Sequence, residues 1–132
     1  MEPKVLSLEL GSIFRILKKR YLLGGYIQQE YQALIKMLKV FLKASKVRAR
    51  YASGVEKVVH YEDDVWDIYI SEYFDKGFLL DASFSGNPED FDDFIEKIKI
   101  KLQEDNVPYQ FEWNEVDENG DQTGEEYEIR YP

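Results

Sequence analysis

The chain of 132 residues contains no cysteine, a single histidine and only four prolines. Without cysteine it forms no disulfide bond, zinc–thiolate site or thiol nucleophile. No run of about 18 apolar residues occurs, so we expect no transmembrane helix, and the first residues lack the pattern of a signal peptide. We therefore expect a cytoplasmic protein, with which the absence of cysteine is compatible.

Apolar and aromatic residues, by contrast, are plentiful. Apolar residues make up 44% of the chain, and the aromatic residues include 10 Tyr and 8 Phe. This content supports a buried core and argues against a chain that is disordered throughout. The length fits one compact domain, or a small domain with a helical appendage.

Charge is distributed unevenly along the chain. Residues 1–57 contain 12 Lys or Arg and 4 Asp or Glu, a net charge of +8, whereas residues 58–132 contain 5 and 22, a net charge of −17. We interpret this as a basic helical hairpin over 1–50 and an acidic α+β sheet domain over 51–132. The two parts can also belong to one domain whose basic side packs against its acidic side.

The first 50 residues are predicted to form two helices. Apolar residues recur at three- and four-residue steps over 13–23, after Ser12 as a candidate N-cap. Gly24-Gly25 breaks this pattern and predicts a tight link to a second helix over 27–47. For the preceding segment, strand and helical turn remain alternatives. Its apolar residues are Val5, Leu6, Leu8 and Leu10.

A small set of residues at this link also matches a known pattern: Leu17, Gly25, Ile27, Glu30 and Tyr31. With these residues, the segment 17–39 resembles the bihelical segment called SHOCT. Gln28 stands where that family usually has a threonine cap, and the spacing from isoleucine to the aromatic residue is one shorter. The resemblance covers about a sixth of the chain. It implies oligomerisation or docking rather than chemistry.

From residue 55 the apolar pattern alternates with a period of two, which predicts strands over 55–61, 65–73 and 78–84. Asn87 as N-cap and Pro88 at the first helical position predict a helix over 88–104. A final hairpin is predicted over 109–131. The predicted fold class is therefore α+β: an N-terminal helical hairpin followed by a βββαββ unit, whose curved antiparallel sheet has about five strands on one helix.

Turn residues predict the strand registers. A type I turn over 74–78 with Gly77 in the left-handed region makes residues 74 and 78 the closing pair. In the last hairpin, a three-residue loop with Gly120 as the bulge pairs residue 117 with 121. We prefer this loop to a two-residue turn because it keeps apolar residues opposite each other. The pairs predicted in this way are Ile70 with Ala82, Ile68 with Phe84, Phe111 with Tyr127 and Tyr109 with Ile129.

No motif identifies a reaction. His60 is the only histidine, and a lone histidine on a strand is more often a surface residue than a base or metal ligand. A calcium loop over 117–128 would need glycine at its sixth position, where Gln122 stands, so a polar hairpin tip is preferred and weak calcium binding is left open. Its oxygen ligands would be Asp117, Asn119, Asp121, Glu125 and Glu128. We predict no catalytic residue, no cofactor and no metal; a hydrolase using paired carboxylates is the second alternative.

The basic residues after position 35 are the candidate binding residues: Lys36, Lys39, Lys43, Lys46, Arg48 and Arg50. They could contact nucleic-acid phosphates, a partner, or the acidic part of the same protein. The leading prediction is a non-enzymatic protein-binding module whose acidic sheet binds another, basic protein; a second copy of the chain is a further candidate partner. Immunity proteins, nuclease inhibitors and secretion chaperones are examples by analogy. Nucleic-acid binding through the basic helix 27–50 is the alternative, although the overall negative charge disfavours it.

Overall fold

A seven-stranded antiparallel sheet dominates the computed structural model, which describes residues 18–52, 54–73 and 77–132. The strands are β1 Lys19–Ile27, β2 Val47–Ala52, β3 Glu56–Glu62, β4 Trp66–Tyr73, β5 Gly77–Gly86, β6 Tyr109–Val116 and β7 Gln122–Tyr131. The helices are α1 Tyr31–Phe41 and α2 Pro88–Glu104, and a short 3₁₀ turn spans Ala44–Lys46. Each β strand is antiparallel to its neighbours.

The strands are arranged across the sheet in the order β2-β3-β4-β5-β1-β6-β7. Strand β1 therefore lies inside the sheet, between β5 and β6, and β2 and β7 are the two edge strands. Both helices pack on one side of this sheet, which we call the helix face. The opposite side, which we call the open face, carries no helix among the described residues.

The core lies between the helix face and the two helices. Tyr31 of α1 stacks on Phe78 with ring centroids 5.7 Å apart. Phe94 of α2 lies 4.4 Å from Trp66 by the same measure, and Phe91 stacks on Tyr21 at 4.3 Å. One continuous cluster of buried side chains joins both helices to the strands. Because burial of apolar area is the main favourable term in folding, this cluster positions every exposed surface considered below.

The predicted N-terminal helical hairpin is wrong. Residues 19–27 form the strand β1, and Gly24 and Gly25 lie within it rather than in a turn. Tyr21, Leu23 and Ile27 alternate on the helix face, a period of two that the three- and four-residue spacing concealed. The resemblance to SHOCT implied a first helix and a glycine link in this region, and both are replaced by strand β1. The predictions for residues 5–10, for Ser12 and for residues 13–17 lie outside the described part of the chain.

The second predicted helix is shorter than expected. It spans Tyr31–Phe41 instead of 27–47 and ends at Leu42, whose backbone is extended. Beyond the 3₁₀ turn, the chain forms the edge strand β2, Val47–Ala52. The sheet therefore has seven strands rather than about five, since both β1 and β2 come from the region predicted as helical. The packing of β1 between two neighbours accounts for the difference, because those contacts outweigh weak local preferences.

The remaining elements agree with their predictions. Strands β3, β4 and β5 lie within one or two residues of the predicted ranges, and α2 spans residues 88–104. The side chain of Asn87 accepts a hydrogen bond from the Glu89 N–H at 3.0 Å, as expected of an N-cap. Pro88 occupies the first turn. These signals are local, so they do not depend on the rest of the fold.

The predicted register between β4 and β5 is wrong by two residues. Tyr73 pairs with Gly77 and Ile70 pairs with Leu80. Gly77 does not adopt a positive φ; it sits where a Cβ would meet the Ile27 carbonyl oxygen at 2.6 Å. A register shift of two residues leaves each side chain on its predicted face of the sheet, because side chains alternate with a period of two. The link residues 74–76 lie outside the described part of the chain.

The last hairpin confirms the predicted tip but not the predicted pairs. Gly120 has φ +84°, and the Asp117 N–H donates to the Asp121 carbonyl oxygen at 2.9 Å. An irregularity between Asn114 and Val116 then shifts the register by two residues. As a result Phe111 pairs with Ile129 and Trp113 with Tyr127, instead of the pairs predicted.

The predicted division at residue 50 does not coincide with a break in the sheet. Strand β2 spans Val47–Ala52 across that position, and β1 pairs with both β5 and β6. The basic N-terminal strands and the acidic C-terminal strands thus share one sheet. Whether they fold as separate units stays a prediction.

Candidate binding surfaces

The six candidate basic residues lie on three consecutive elements at the β2 side of the sheet. Lys36 and Lys39 are exposed on α1, Lys43 and Lys46 lie at the 3₁₀ turn, and Arg48 and Arg50 are on β2. Only the first two lie on a helix, whereas the sequence predicted a basic helix over 27–50. We call all six together the basic edge. The structure places them along one continuous stretch of chain and exposes every one of them.

The basic edge is anchored to the sheet by two tyrosines. The Tyr31 hydroxyl lies 2.8 Å from the Val58 carbonyl oxygen and 3.2 Å from that of Arg50. The Lys43 N–H donates to the Tyr61 hydroxyl at 3.4 Å. Burial raises the pKa of both tyrosines, so both hydroxyls stay protonated and available for these contacts at neutral pH. The anchors hold α1 and the following turn against β2 and β3.

Asp63, in the turn between β3 and β4, is the carboxylate that interacts with the basic edge. Burial alone would raise the pKa of Asp63, but hydrogen bonds and the nearby Lys43 lower it overall. The donors are the Tyr61 hydroxyl and the N–H groups of Trp66 and Val65. Within the described residues, no ion pair joins any residue of the basic edge to a carboxylate. Most of this positive charge is therefore available to an external group.

The opposite side of the sheet is acidic. Residues 112–128, from β6 through the turn into β7, contain eight carboxylates and no basic residue. We call β6, β7 and their turn the acidic hairpin. Glu115 binds Lys19 at 3.3 Å and Thr123 at 3.3 Å. The neighbouring Glu125, Glu126 and Glu128 are exposed on the edge strand. The hairpin therefore presents a negative surface, and among the described residues no strand pairs with the outer side of β7.

An aromatic pair accompanies these carboxylates. Trp113 and Tyr127 stack with ring centroids 5.8 Å apart, and Tyr127 is 49% exposed. Burial raises the pKa of Tyr21 next to them, and the charges of Glu115 and Asp92 raise it further. The local potential at this end of the helix face is thus negative. Flat aromatic rings beside carboxylates suit a cationic side chain, which interacts with both.

The two cavities described beside the sheet show no arrangement of catalytic groups. The larger, of about 490 Å³, contains Lys57 and Glu72, and the Lys57 N–H already donates to Glu72 at 3.3 Å. The second, of about 470 Å³, contains Lys19 and Glu115, which form an ion pair. The charged groups of Glu72, Lys19 and Glu115 therefore have partners within the protein.

His60 lies on the open face. Its Nε2 is 3.0 Å from Asp67 Oδ1, and its ring is 6.2 Å from that of Tyr69. It lines neither cavity, in agreement with its interpretation as a surface residue. These contacts join neighbouring strands, as cross-strand pairs usually do.

The residues considered for calcium lie at the tip of the acidic hairpin. Asp117 Oδ1 accepts hydrogen bonds from the N–H groups of Asn119 at 2.9 Å and Asp121 at 3.0 Å, so this carboxylate closes the turn. The flanks are strands, not the helices of an EF-hand. In the described ranges, no three His, Cys, Asp or Glu side chains are grouped so as to hold a metal ion.

Sequence reasoning found the two charge blocks but missed their positions on the sheet edges. Strand β2 was predicted as helix, so its arginines could not be assigned to an edge. The alternation of Val47, Ala49 and Tyr51 with two arginines was the available signal. Its weakness is physical, because a strand of six residues cannot be distinguished from a helix end by periodicity alone.

No helix in the part of the chain described here is long and apolar enough to cross a membrane. Comparison with known proteins found no matching family model, no matching curated protein and no matching solved structure.

Proposed function

We propose that this protein is a non-enzymatic binding module that holds a basic segment of another protein along its acidic hairpin. The observation that carries the proposal is the edge strand β7, whose residues 122–128 are all exposed. An edge strand has unpaired N–H and C=O groups on one side, and an extended peptide can add to it as a further strand. Ten residues of β7 correspond to a binding edge of about 33 Å.

The charge of the hairpin selects the partner. Eight carboxylates over residues 112–128 without a basic residue attract a segment rich in lysine or arginine and repel an acidic one. Because six of these eight carboxylates are exposed, they contribute more to the rate of association and to specificity than to affinity. The affinity would come from backbone hydrogen bonds and from the aromatic pair.

Trp113 and Tyr127 are the proposed anchor. Trp113 also packs edge-on against Phe91 at 5.9 Å, so its ring is held by the core, while Tyr127 remains half exposed. A fixed aromatic surface loses little entropy on binding, and Tyr and Trp are enriched among residues that dominate interfaces. A lysine or arginine of the partner would lie over the exposed part of the Tyr127 ring.

The experiment measures binding of a labelled peptide of alternating lysine and threonine by fluorescence anisotropy, with a glutamate–threonine peptide as the negative probe. Reversing the charge at two positions of β7, with Glu126→Lys and Glu128→Lys in one variant, should weaken binding of the basic peptide by about tenfold or more. The matched control, Asp93→Lys with Glu104→Lys, changes the net charge equally at exposed positions of α2 and should change the affinity by less than about twofold, since distant exposed charges are screened.

Two outcomes would contradict this proposal. Equal losses in the hairpin variant and in the helix control would mean that only net charge matters. Unchanged binding of the basic peptide to Tyr127→Ala would contradict the proposed role of Tyr127 as an anchor.

Recovery of partners from native lysate at low and high salt identifies the natural ligand. The expected result is a basic protein that is recovered by the wild type but not by the hairpin variant.

Nucleic-acid binding through the basic edge is the alternative, favoured by the lack of ion pairs at these six residues in the described structure. The net charge of −9 opposes it, because the field of the whole protein repels phosphate. We expect no binding tighter than about 10 μM at physiological salt, weaker than specific complexes. Tight and steeply salt-dependent binding that Lys36→Glu with Lys43→Glu abolishes would favour the alternative instead.

A further inference from the structure

The two edge strands of this sheet differ in charge, and both are exposed. Strand β2 carries Arg48 and Arg50. Strand β7 carries Glu125, Glu126 and Glu128 and one basic residue, Arg130, which lies 3.3 Å from Glu128, so its net charge is negative. Edge strands that could pair between molecules are commonly protected by charged side chains. In this protein, charge repulsion acts only between two β2 edges or between two β7 edges. A β2 edge and a β7 edge carry opposite net charges and attract each other.

The register shows which of these charges share a face. One row of directly paired residues crosses the whole open face: Arg48, His60, Tyr69, Asp81, Gly24, Glu112 and Glu128. Since side chains alternate along a strand, Arg50 and Glu126 lie on this same face. The arginines of one edge and the glutamates of the other would therefore be direct neighbours if β2 were paired with β7 of another molecule.

On the helix-face side, each of the two edge strands carries a partly exposed tyrosine. Tyr51 on β2 is 58% exposed and Tyr127 on β7 is 49% exposed. Both alternate with the charged residues of their strands and so point to the helix-face side. Pairing the two edges would bring opposite charges together on one face and two half-exposed aromatic rings together on the other. Because β2 and β7 run in the same direction, they would pair parallel when the faces match. Neighbouring opposite charges and neighbouring aromatic rings attract each other across such a pair.

Like edges are less complementary. Two β2 strands would oppose arginine to arginine, and two β7 strands would bring together two edges of net negative charge, each with three glutamates and one arginine, so like charges lie close in both cases. A contact between unlike edges is heterologous, so each added molecule leaves one basic and one acidic edge free. Such contacts produce open chains unless the rotation between copies closes a ring.

We infer that a second copy of this chain is a partner of the acidic hairpin, and that its basic β2 edge adds to β7 and extends the sheet head to tail. This inference rests on the proposed function, since it uses the same edge strand. A single pair of short strands buries little area, so we expect a dissociation constant on the order of 100 μM, as for weak interfaces of small size.

Sedimentation equilibrium of the full chain over a range of concentrations tests the inference. At about 50 mM NaCl the weight-average mass should rise above the monomer mass of 15.6 kDa as the concentration increases, without levelling at the dimer. At about 500 mM NaCl, where the screening length falls to a few ångströms, the association should weaken by about threefold or more. A mass that levels at the dimer would overturn the head-to-tail arrangement in favour of a symmetric contact.

Charge reversal provides the decisive comparison. Arg48→Glu with Arg50→Glu makes both edges acidic, and Glu126→Lys with Glu128→Lys makes both edges basic. Each variant alone should be monomeric, whereas an equimolar mixture should associate again because the edges are once more complementary. Misfolding of either variant cannot produce this recovery. The helix control Asp93→Lys with Glu104→Lys should associate like the wild type.

The results separate this inference from the proposed function. Absence of self-association at all concentrations, together with binding of the lysine–threonine peptide, would overturn the inference and leave the proposed function in place. Absence of both would overturn both. Association that persists unchanged in each charge-reversed variant would place the contact elsewhere and would also overturn the inference.

Discussion

The neighbouring glycines of β1 provide a sharp test of the fold. A Cβ on Gly25 would lie 2.2 Å from the Gln110 carbonyl oxygen and 2.7 Å from a ring carbon of Phe111. A Cβ on Gly24 would meet nothing closer than 3.8 Å. Neither glycine has a positive φ, so the difference between the two positions is one of space and not of backbone conformation. We therefore expect Gly25→Ala to be strongly destabilising and Gly24→Ala to be tolerated.

The magnitude follows from what must move. To bring the new Cβ even to 3.0 Å from Gln110, β1 and β6 must separate by about 0.8 Å, and backbone atoms of paired strands cannot yield as a flexible side chain would. Overpacking of this kind costs about 1–3 kcal/mol or more, and a weakened ladder hydrogen bond adds about 1 kcal/mol. We expect a loss of about 3 kcal/mol, a large part of the stability of about 5–15 kcal/mol usual for a domain.

Gly24→Ala is the matched control. It makes the same chemical change one residue away and should alter stability by no more than about 1 kcal/mol, with a gain possible because alanine restricts the unfolded chain. Urea denaturation followed by circular dichroism gives the free energy of unfolding of each variant and its dependence on urea. Equal stabilities within about 0.5 kcal/mol, near the usual error of such measurements, would refute the assignment of Gly25 to a central strand and favour the glycine link of a helical hairpin.

Three further predictions concern the core, a turn and a titrating group. Phe94→Ala should cost about 3–5 kcal/mol, since Phe94 is 7% exposed and packs on Trp66; a loss below about 1 kcal/mol in denaturant melts would be incompatible with this burial. Gly120→Ala should cost about 1 kcal/mol through backbone strain alone, because φ is +84° and no atom lies within 4 Å of the new Cβ; unchanged thermal stability would argue against this turn. Because the pKa of Asp63 is lowered in the folded state, its ionised carboxylate stabilises the fold above a pH of about 4. This stabilisation is lost as the pH falls through the pKa of Asp63 in the folded state. Asp63→Asn should thus be less stable than the wild type at pH 7, with a gap in unfolding free energy that narrows in acid; a gap that stays constant down to about pH 3 would exclude this linkage.

Local chemistry made one part of the chain predictable in detail. The helix α2 was predicted over its full length because Asn87 and Pro88 define its first turn and its apolar residues repeat at helical spacing. The tip at Gly120 was predicted for a similar reason, since a three-residue loop requires a residue with positive φ. Both features depend on interactions within a few residues, so they are visible without the rest of the fold.

Strand β1 shows why other parts were not predictable. Its pairing partners are β5 and β6, with Gly25 opposite Leu80 on one side and Phe111 on the other. These residues are distant in sequence, and nothing near Gly25 records that two strands will approach it. The short apolar run fits a helix or a strand equally well until those neighbours are known. The register of the last hairpin shifted for a comparable reason, at the irregularity between Asn114 and Val116.

The candidate binding surfaces divide in the same way. The amino-acid sequence by itself determined that most basic residues precede most acidic ones and that no basic residue interrupts the eight carboxylates of 112–128. The order of residues along the chain does not depend on folding. Only the tertiary structure decided that these groups lie on opposite edges of one sheet. That arrangement results from the strand order, in which β1 lies between β5 and β6 and joins the acidic hairpin to the sheet at the edge opposite β2. The strand order is a property of long-range pairing, and local sequence does not encode it.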